Sequence, residues 1–156
     1  MREKQRDNPL LSLNSGRMNQ VASTGFLSAY ARINRIVEED LQEHSRITHV
    51  EFEILLRLSW DENHRVRIQD LAAQSLLTRS GVSRVVERLE KAGLVTREEA
   101  SEDRRGAYAV LTEAGIERFQ KAAQAHMAFV REKFLGLFNE QELEQMSVFW
   151  KRLQEK

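Results

Sequence analysis

The chain has 156 residues, 24 basic and 24 acidic side chains, 41% hydrophobic residues and no cysteine. This length and composition predict one globular domain with a sizeable core, and the lack of cysteine excludes disulfides, thiolate metal sites and thiol redox sensing. The even charge excludes a bulk electrostatic argument for nucleic acid, and without a long apolar run or a signal-like N-terminus we expect a cytoplasmic protein that does not span a membrane.

The first part of the chain predicts two helices after a polar segment. Residues 1–24 are polar, and we expect an N-terminal arm there. From Gly25 to Glu43 apolar residues recur at three- and four-residue steps, which predicts a helix. Thr48 followed by Glu51 has the pattern of a capping box, in which each side chain bonds the backbone of the other residue. A second helix is therefore predicted to begin at this point.

The middle of the chain alternates short strands and helices. Val66–Ile68 predicts a short strand, and residues 69–76 predict a short helix with Leu71 inward. The next helix is predicted to begin at Thr78 and to stop near Ala92, before a glycine suited to a helix end.

Two segments, LVTRE and AYAVL, flank a polar loop and predict a β-hairpin. A short helix, a turn, a second helix and a hairpin make a winged helix-turn-helix. The sequence therefore predicts a mainly α fold with a small β-hairpin wing, in which residues 63–111 form the winged lobe.

The C-terminal part predicts two more helices. Thr112 is a suitable N-cap for a long helix whose apolar positions continue to Phe138, over about seven turns. Asn139, with Glu142 three residues later, predicts a capping box and the start of the last helix.

The second helix of the winged lobe carries the first group of candidate DNA contacts. Its apolar residues share one face and are predicted to pack inside the lobe: Val82, Val85, Val86 and Leu89. The opposite face suits a major groove, because arginine bridges guanine O6 and N7 and small residues allow close approach. The alternative is an ordinary solvated face. We predict DNA contacts from Arg79, Ser80, Gly81, Ser83, Arg84 and Arg88.

The hairpin loop carries the second group. Arg104 and Arg105 are predicted at its tip, where a wing reaches the DNA backbone or a minor groove whose negative potential favours arginine. Asp103 is predicted to orient Arg105. Acidic residues oppose this interpretation, because residues 64–111 hold nine basic and seven acidic side chains and the excess is only +2. The acidic residues near the tip are Glu98, Glu99 and Glu102.

Four short motifs run through this region: Leu-Ala at Leu71, Leu-Glu-Lys-x-Gly-Leu-Val-x-Arg at Leu89–Arg97, Asp-x-Arg at Asp103–Arg105, and Leu-Thr-x-x-Gly at Leu111–Gly115. Together they resemble the core of the MarR family of bacterial transcriptional regulators, and the flanking helices extend the resemblance from about Gly25 to Leu153.

The resemblance implies a homodimer that binds palindromic promoter DNA through a winged lobe on each subunit. It implies repression that is relieved by a small aromatic or phenolic ligand, bound between the lobe and the dimerisation helices. By position, Ser80, Ser83 and Arg84 match the family's base-reading face, and Asp103 and Arg105 match its wing-tip pair. The family's cysteine-based oxidant sensing does not apply to this chain.

Amphipathic helices outside the lobe predict a dimer independently. The helices within 25–62 and 112–156 carry aromatic residues that are costly to leave in water, and a twofold dimer is the commonest assembly that would bury them. The alternative is packing within one subunit against the winged lobe. The aromatic residues concerned are Phe26, Tyr30, Phe119, Phe134, Phe138 and Trp150.

Aromatic walls with a polar group suit a planar acid. A ligand cavity is therefore predicted between the first two helices and the lobe, and the alternative for its aromatic members is the ordinary core. Its predicted lining residues are Tyr30, Arg46, His49, Phe52 and Trp60, with Arg46 pairing a ligand carboxylate.

The four histidines form no close metal-ligand motif, so we expect no metal and no cofactor. The alternative is convergence of His44 and His49 with Glu39 or Glu43, whereas His126 is expected at the dimer interface. No phosphate-binding glycine loop and no paired nucleophile appear, so we expect no enzyme.

Two functions stay open from the sequence. The first is a MarR-like repressor that reads two half-sites about one helical turn apart. The second is a winged helix that binds another protein, which the near-neutral charge of the lobe suggests.

Overall fold

The computed structural model describes residues 9–75, 77–100 and 106–155. Its helices and strands follow the predicted order, and the prediction of a mainly α fold with a small β element is confirmed. The elements are α1 (Pro9–Ser45), α2 (His49–Trp60), β1 (Arg65–Arg67), α3 (Ile68–Ala73), α4 (Arg79–Lys91), β2 (Val95–Glu99), β3 (Ala107–Leu111), α5 (Glu113–Lys133) and α6 (Glu140–Gln154). None of the helices in these ranges has the length and apolarity needed to cross a membrane.

The three strands form one antiparallel sheet in the order β1-β3-β2. The predicted hairpin is present, with Val95 opposite Leu111. β1 extends the hairpin on its other edge and ends one residue earlier than predicted, because Arg67 is the extended residue that precedes α3 and Ile68 is already helical.

The core lies where α2 and α4 pack with α3 and the sheet. The predicted inner face of α4 is confirmed, since none of its four apolar residues is more than 4% exposed. Seven residues of this core are completely buried: Ile54, Leu55, Leu58, Leu71, Val82, Val86 and Ala109. This burial fixes which side of α4 meets solvent.

The predicted N-caps are confirmed at all four helices. Thr48 and Asn139 form complete capping boxes with the glutamates three residues later. The hydroxyls of Thr78 and Thr112 accept the N–H groups of glycines at the third position of their helices. Short polar patterns predict these starts because the hydrogen bonds are local.

Helix α1 begins at Pro9, so the predicted boundary between a polar arm and a helix at residue 24 is wrong. Gly16 and Gly25 do not end this helix, because each costs only about 1 kcal/mol within a helix. The chain divides into two compact units, Met1–Ile36 and Val37–Lys156. In the first unit, the side chains described between residues 17 and 32 are exposed.

Helix α5 ends at Lys133, so the predicted continuation to Phe138 is wrong. Leu135–Leu137 form one turn of 3-10 helix after Phe134 leaves the helical region at φ −123°. Gly136 disfavours a helix here, and Asn139 must be extended to cap α6, as its φ of −78° and ψ of 171° show. The chain therefore turns between the two helices.

Candidate nucleic-acid interface

Helix α4 presents its predicted polar face to solvent. Ser80 and Arg84 are exposed, and Ser83 is half-buried. Gly93 follows the helix end with φ +72°, a conformation that favours glycine. The turn at each end and the buried inner face together hold the outer residues in place.

Two arginines on this face have no competing partner among the described residues. Arg79 and Arg84 are both exposed, and neither guanidinium makes a hydrogen bond or ion pair with the part of the chain that the structure describes. Their donors are available for an acceptor outside the chain.

The small residues of α4 have contacts that the sequence did not predict. Ser83 Oγ donates to the Arg79 carbonyl at 3.0 Å, and Ser80 Oγ lies 3.1 Å from Thr78 Oγ1. A β-carbon on Gly81 would lie 3.3 Å from Thr78 Oγ1, and the Gly81 N–H donates to that same oxygen at 3.2 Å. The small size of Gly81 therefore makes room for the turn before α4, which is a different reason from the predicted close approach to DNA.

Arg88, a predicted DNA contact, is paired within the chain. Its Nε donates to Glu51 Oε1 of α2 at 2.9 Å. Burial alone would raise the pKa of Glu51, but hydrogen bonds from the Thr48 backbone and from Arg88 lower that pKa. The carboxylate is therefore charged at neutral pH and holds Arg88.

An arginine-lined cleft of about 180 Å³ lies beside α4, between α3 and the hairpin. Arg97 crosses from β2 to α4, where it donates to the Ser83 carbonyl at 2.8 Å and pairs with Glu90 at 3.4 Å. Arg97 belongs to the motif Leu89–Arg97 but was not predicted to make a contact, and Arg67 was not predicted as a site residue. The lining residues are Arg67, Ile68, Gln69, Arg79, Ser83, Arg97, Gly106 and Ala107.

The solvent side of the sheet carries a second polar cluster. Arg67 Nε donates to the Tyr108 hydroxyl at 2.9 Å, and the guanidinium carbon of Arg65 lies 3.3 Å from the centre of the Tyr108 ring. Hydrogen bonds from Arg67 and then from Arg65 lower the pKa of Tyr108. Arg65 also pairs with Glu98 at 2.8 Å, so this acidic residue of the hairpin is neutralised locally.

The predicted wing-tip contacts, Asp103, Arg104 and Arg105, lie outside the described residues. The hairpin on either side of them is described. Ala100 N donates to the Gly106 carbonyl at 3.0 Å, at the end of the hairpin where the loop begins.

The predicted ligand residues are not all brought together. Phe52 is only 6% exposed and packs on Phe119 and His126, with ring centres 5.6 and 4.9 Å away. Trp60 is 71% exposed, and it lies about 16 Å along α2 from His49 at the helical rise of roughly 1.5 Å per residue.

Two further predicted ligand residues are exposed. Arg46 is exposed and has a left-handed φ of 53° at the end of α1. Tyr30 belongs to the first unit and is 47% exposed. Within the second unit, Trp60 therefore does not lie beside His49 and Phe52, and the ligand site as a whole stays a prediction.

One histidine, His44, lies beside a buried carboxylate. Asp40 is 9% exposed, and its Oδ1 lies 3.1 Å from His44 Nδ1. Asp40 Oδ2 and His126 Nδ1 are buried without a hydrogen-bond partner in the described chain. His126, which was predicted at the dimer interface, packs on Phe52 of its own subunit. No three histidine, aspartate or glutamate side chains in the described ranges are grouped to hold a metal ion.

Comparison with known proteins covers the winged lobe and the helices around it. The model of the MarR family matches residues 47–106. The HTH-type transcriptional regulator PapX of Escherichia coli is 28% identical over 125 residues, which cover 78% of this chain and 76% of PapX.

Two solved structures from Streptomyces coelicolor are similar over 87% of this chain. AbsC, a MarR family transcriptional regulator, is 37% identical, with a TM-score of 0.80 and 91% of its chain covered. Sco3205, a MarR family transcriptional regulator solved in complex with DNA, is 28% identical, with a TM-score of 0.82 and 85% of its chain covered.

Proposed function

This chain belongs to the MarR family of transcriptional regulators, and we propose that it is a repressor that binds palindromic promoter DNA as a homodimer. In this proposal each subunit inserts α4 into a major groove, and the hairpin of β2 and β3 contacts the neighbouring minor groove or backbone. A small aromatic or phenolic ligand releases the protein from DNA. The protein acts in the cytoplasm.

The outer face of α4 is the observation that carries the proposal. Val82 and Val86 are completely buried, so α4 cannot rotate without exposing the core, and Arg84 stays on the solvent side. A guanidinium without a partner in the described chain is suited to the two acceptors of guanine. The DNA complex of Sco3205, with its TM-score of 0.82, supports the same use of the fold.

The cleft beside α4 suits a phosphate. Arg79 and Arg97 both line it, and arginine donors to phosphate oxygens fix the position of a protein on the duplex without reading sequence. We therefore assign base contacts to Ser80 and Arg84 and a backbone contact to Arg79. Arg104 and Arg105 remain proposed wing contacts.

Exposed apolar side chains on α6 support the homodimer. The exposed fractions are 42% for Val148, 52% for Phe149 and 67% for Leu153. A second copy of the chain packed on α6 would cover these side chains. We propose that residues 25–62 and 112–156 form the dimer and that residues 63–111 read DNA.

An electrophoretic mobility shift with the promoter region of the protein's own gene tests the proposal. Binding is expected at low salt. The logarithm of the binding constant should then fall linearly with the logarithm of the salt concentration. A folded protein that stays unbound at low salt contradicts it. Arg84→Ala distinguishes the proposal from the alternative in which the winged helix binds another protein. DNA affinity falls strongly under our proposal and is unchanged if α4 does not read DNA.

The ligand part has its own test. Adding a panel of aromatic acids to the preformed complex is expected to release the DNA for at least one of them. A complex that persists against the whole panel overturns the ligand and leaves the DNA-binding proposal standing.

A further inference from the structure

Arg88 of α4 makes an ion pair with a residue of α2 in the same subunit. Its Nε lies 2.9 Å from Oε1 of Glu51, a residue 37 positions earlier in the chain. The Glu51 side chain is only 14% exposed, whereas that of Arg88 is 53% exposed. The carboxylate is therefore fixed in place, and the arginine is the mobile partner that it holds.

Glu51 uses its other oxygen at the start of α2. Oε2 accepts the Thr48 N–H at 2.9 Å, and Thr48 Oγ1 accepts the Glu51 N–H at 3.1 Å. The next residue is also tied, because the His49 N–H donates to Glu38 Oε2 of α1 at 2.7 Å. The first turn of α2 is thus bonded to α1 on one side and to α4 on the other.

We propose that Arg88 is a positioning residue for DNA recognition, and that its ion pair with Glu51 sets the orientation of α4 relative to the joint between α1 and α2. The proposal rests on the DNA-reading role of α4 given above, and it changes the role predicted for Arg88 from direct contact to orientation. Among the described arginines of α4, Arg79 and Arg84 lack such a partner and remain available to DNA.

The pair acts on geometry more than on folding stability. Ion pairs with one exposed partner add little to stability, because solvent screens them. A small tilt of a recognition helix, which leaves its apolar face buried, nevertheless moves several base contacts at once, and these contacts require hydrogen-bond distances and angles. The expected signature is weaker DNA binding with little change in thermal unfolding.

Glu51→Gln is the most informative variant. Glutamine at this position still completes a capping box, so α2 keeps its start, but the charge that holds Arg88 is lost. If electrostatics alone mattered, removing a negative charge would strengthen DNA binding. Under our proposal it weakens promoter binding by about five- to tenfold, the range of a moderate coupling between sites.

Arg88→Ala and the double variant complete the test, measured by fluorescence anisotropy over a salt series. Because the two residues act through one bond, the double variant is expected to bind no more weakly than either single variant. The slope of log affinity against log salt is expected to stay unchanged. Lys91→Ala is the matched control, since Lys91 pairs with Glu87 within α4 at 2.7 Å and should leave binding near wild type.

Three outcomes overturn the inference. One is a salt slope that falls by about 1 for each subunit in Arg88→Ala, as the loss of a phosphate contact in both subunits predicts. The second is unchanged or stronger binding in Glu51→Gln. The third is additive losses in the double variant.

The proposed function fails separately. It fails if the wild type does not bind promoter DNA or if Arg84→Ala binds like the wild type. A protein that binds DNA through Arg84 and is indifferent to Glu51→Gln loses only the positioning role of Arg88.

Discussion

The carbonyl oxygen of Leu94 occupies the space where a β-carbon on Gly115 would be. An added β-carbon would fall less than 3.0 Å from this oxygen, closer than real β-carbons approach. The same carbonyl accepts the Thr112 N–H at 3.1 Å, and the Thr112 hydroxyl donates to the Gly93 carbonyl at 2.7 Å. The first turn of α5 is therefore seated directly on the backbone that leads into β2.

Gly115→Ala is expected to destabilise the protein by at least about 2 kcal/mol, because the backbone must shift to admit the methyl group. Urea unfolding at a fixed protein concentration measures the change. Gly16→Ala is the matched control: it adds the same methyl group to a helix with nothing within 4 Å. This control should be neutral or stabilising by up to about 1 kcal/mol, and similar losses in both variants would contradict the seating of α5.

Arg84→Ala and Arg79→Ala are expected to weaken DNA binding in different ways. The loss of a bidentate base contact at Arg84 should cost about 1–3 kcal/mol and relax the preference at one base pair. The loss of a phosphate contact at Arg79 should weaken all sequences alike and lower the salt slope by about 1 for each subunit, or about 2 for the dimer. Anisotropy titrations on single-base operator variants distinguish the two, and identical behaviour would contradict our assignment.

His126 is expected to make the free energy of unfolding depend on pH. Burial lowers the pKa of its ring below the ordinary 6.5; the Asp40 carboxylate opposes this shift and His49 adds to it. Below pH about 6.5 the unfolded chain binds more protons than the folded one, so stability falls as pH falls through the folded pKa. Above pH about 6.5 this contribution is fully present.

His126→Phe keeps a ring against Phe52, whose centre lies 4.9 Å from that of His126, and cannot take up a proton. Urea unfolding between about pH 5.5 and 7.5 should give a flatter profile for this variant than for the wild type. Equal slopes in the two proteins would assign the pH dependence to other groups.

Negative charges introduced at exposed apolar positions of α6 are expected to separate the homodimer into single subunits. Phe149→Glu combined with Leu153→Glu places two carboxylates where the side chains are 52% and 67% exposed in the single chain. Light scattering should then give the mass of one subunit, and affinity for a palindromic site should fall because only one half-site is bound at a time. Ser147→Glu, at an exposed position on the opposite side of the same helix, is the control, and a stable dimer in the double variant would place the interface elsewhere.

Local patterns predicted the starts of the four capped helices well. Thr48 and Asn139 each bond within three residues of themselves, so the sequence contains everything that the cap requires. The inner face of α4 was predictable for the same reason, since helical periodicity alone places Val82 and Val86 on one side.

Contacts between distant segments were not predictable. Arg88 and Glu51 meet only because α2 and α4 pack together, and nothing in the spacing of the two residues signals this contact. The end of α5 was missed because the apolar spacing continues to Phe138, whereas the requirement for an extended residue before α6 ends the helix earlier. The spacing of apolar residues indicates a helical face, but it does not predict where the cap of the following helix requires the chain to be extended.

One carboxylate, that of Glu51, binds two helices: one oxygen accepts a hydrogen bond at the start of α2, and the other accepts a hydrogen bond from Arg88 of α4. A substitution at this position alters two helices together, whereas a substitution at Arg84 alters only an exposed side chain. We therefore expect paralogues that acquire new operators to diverge on the outer side of α4. Their drift at position 51 should be confined to residues that still accept both hydrogen bonds.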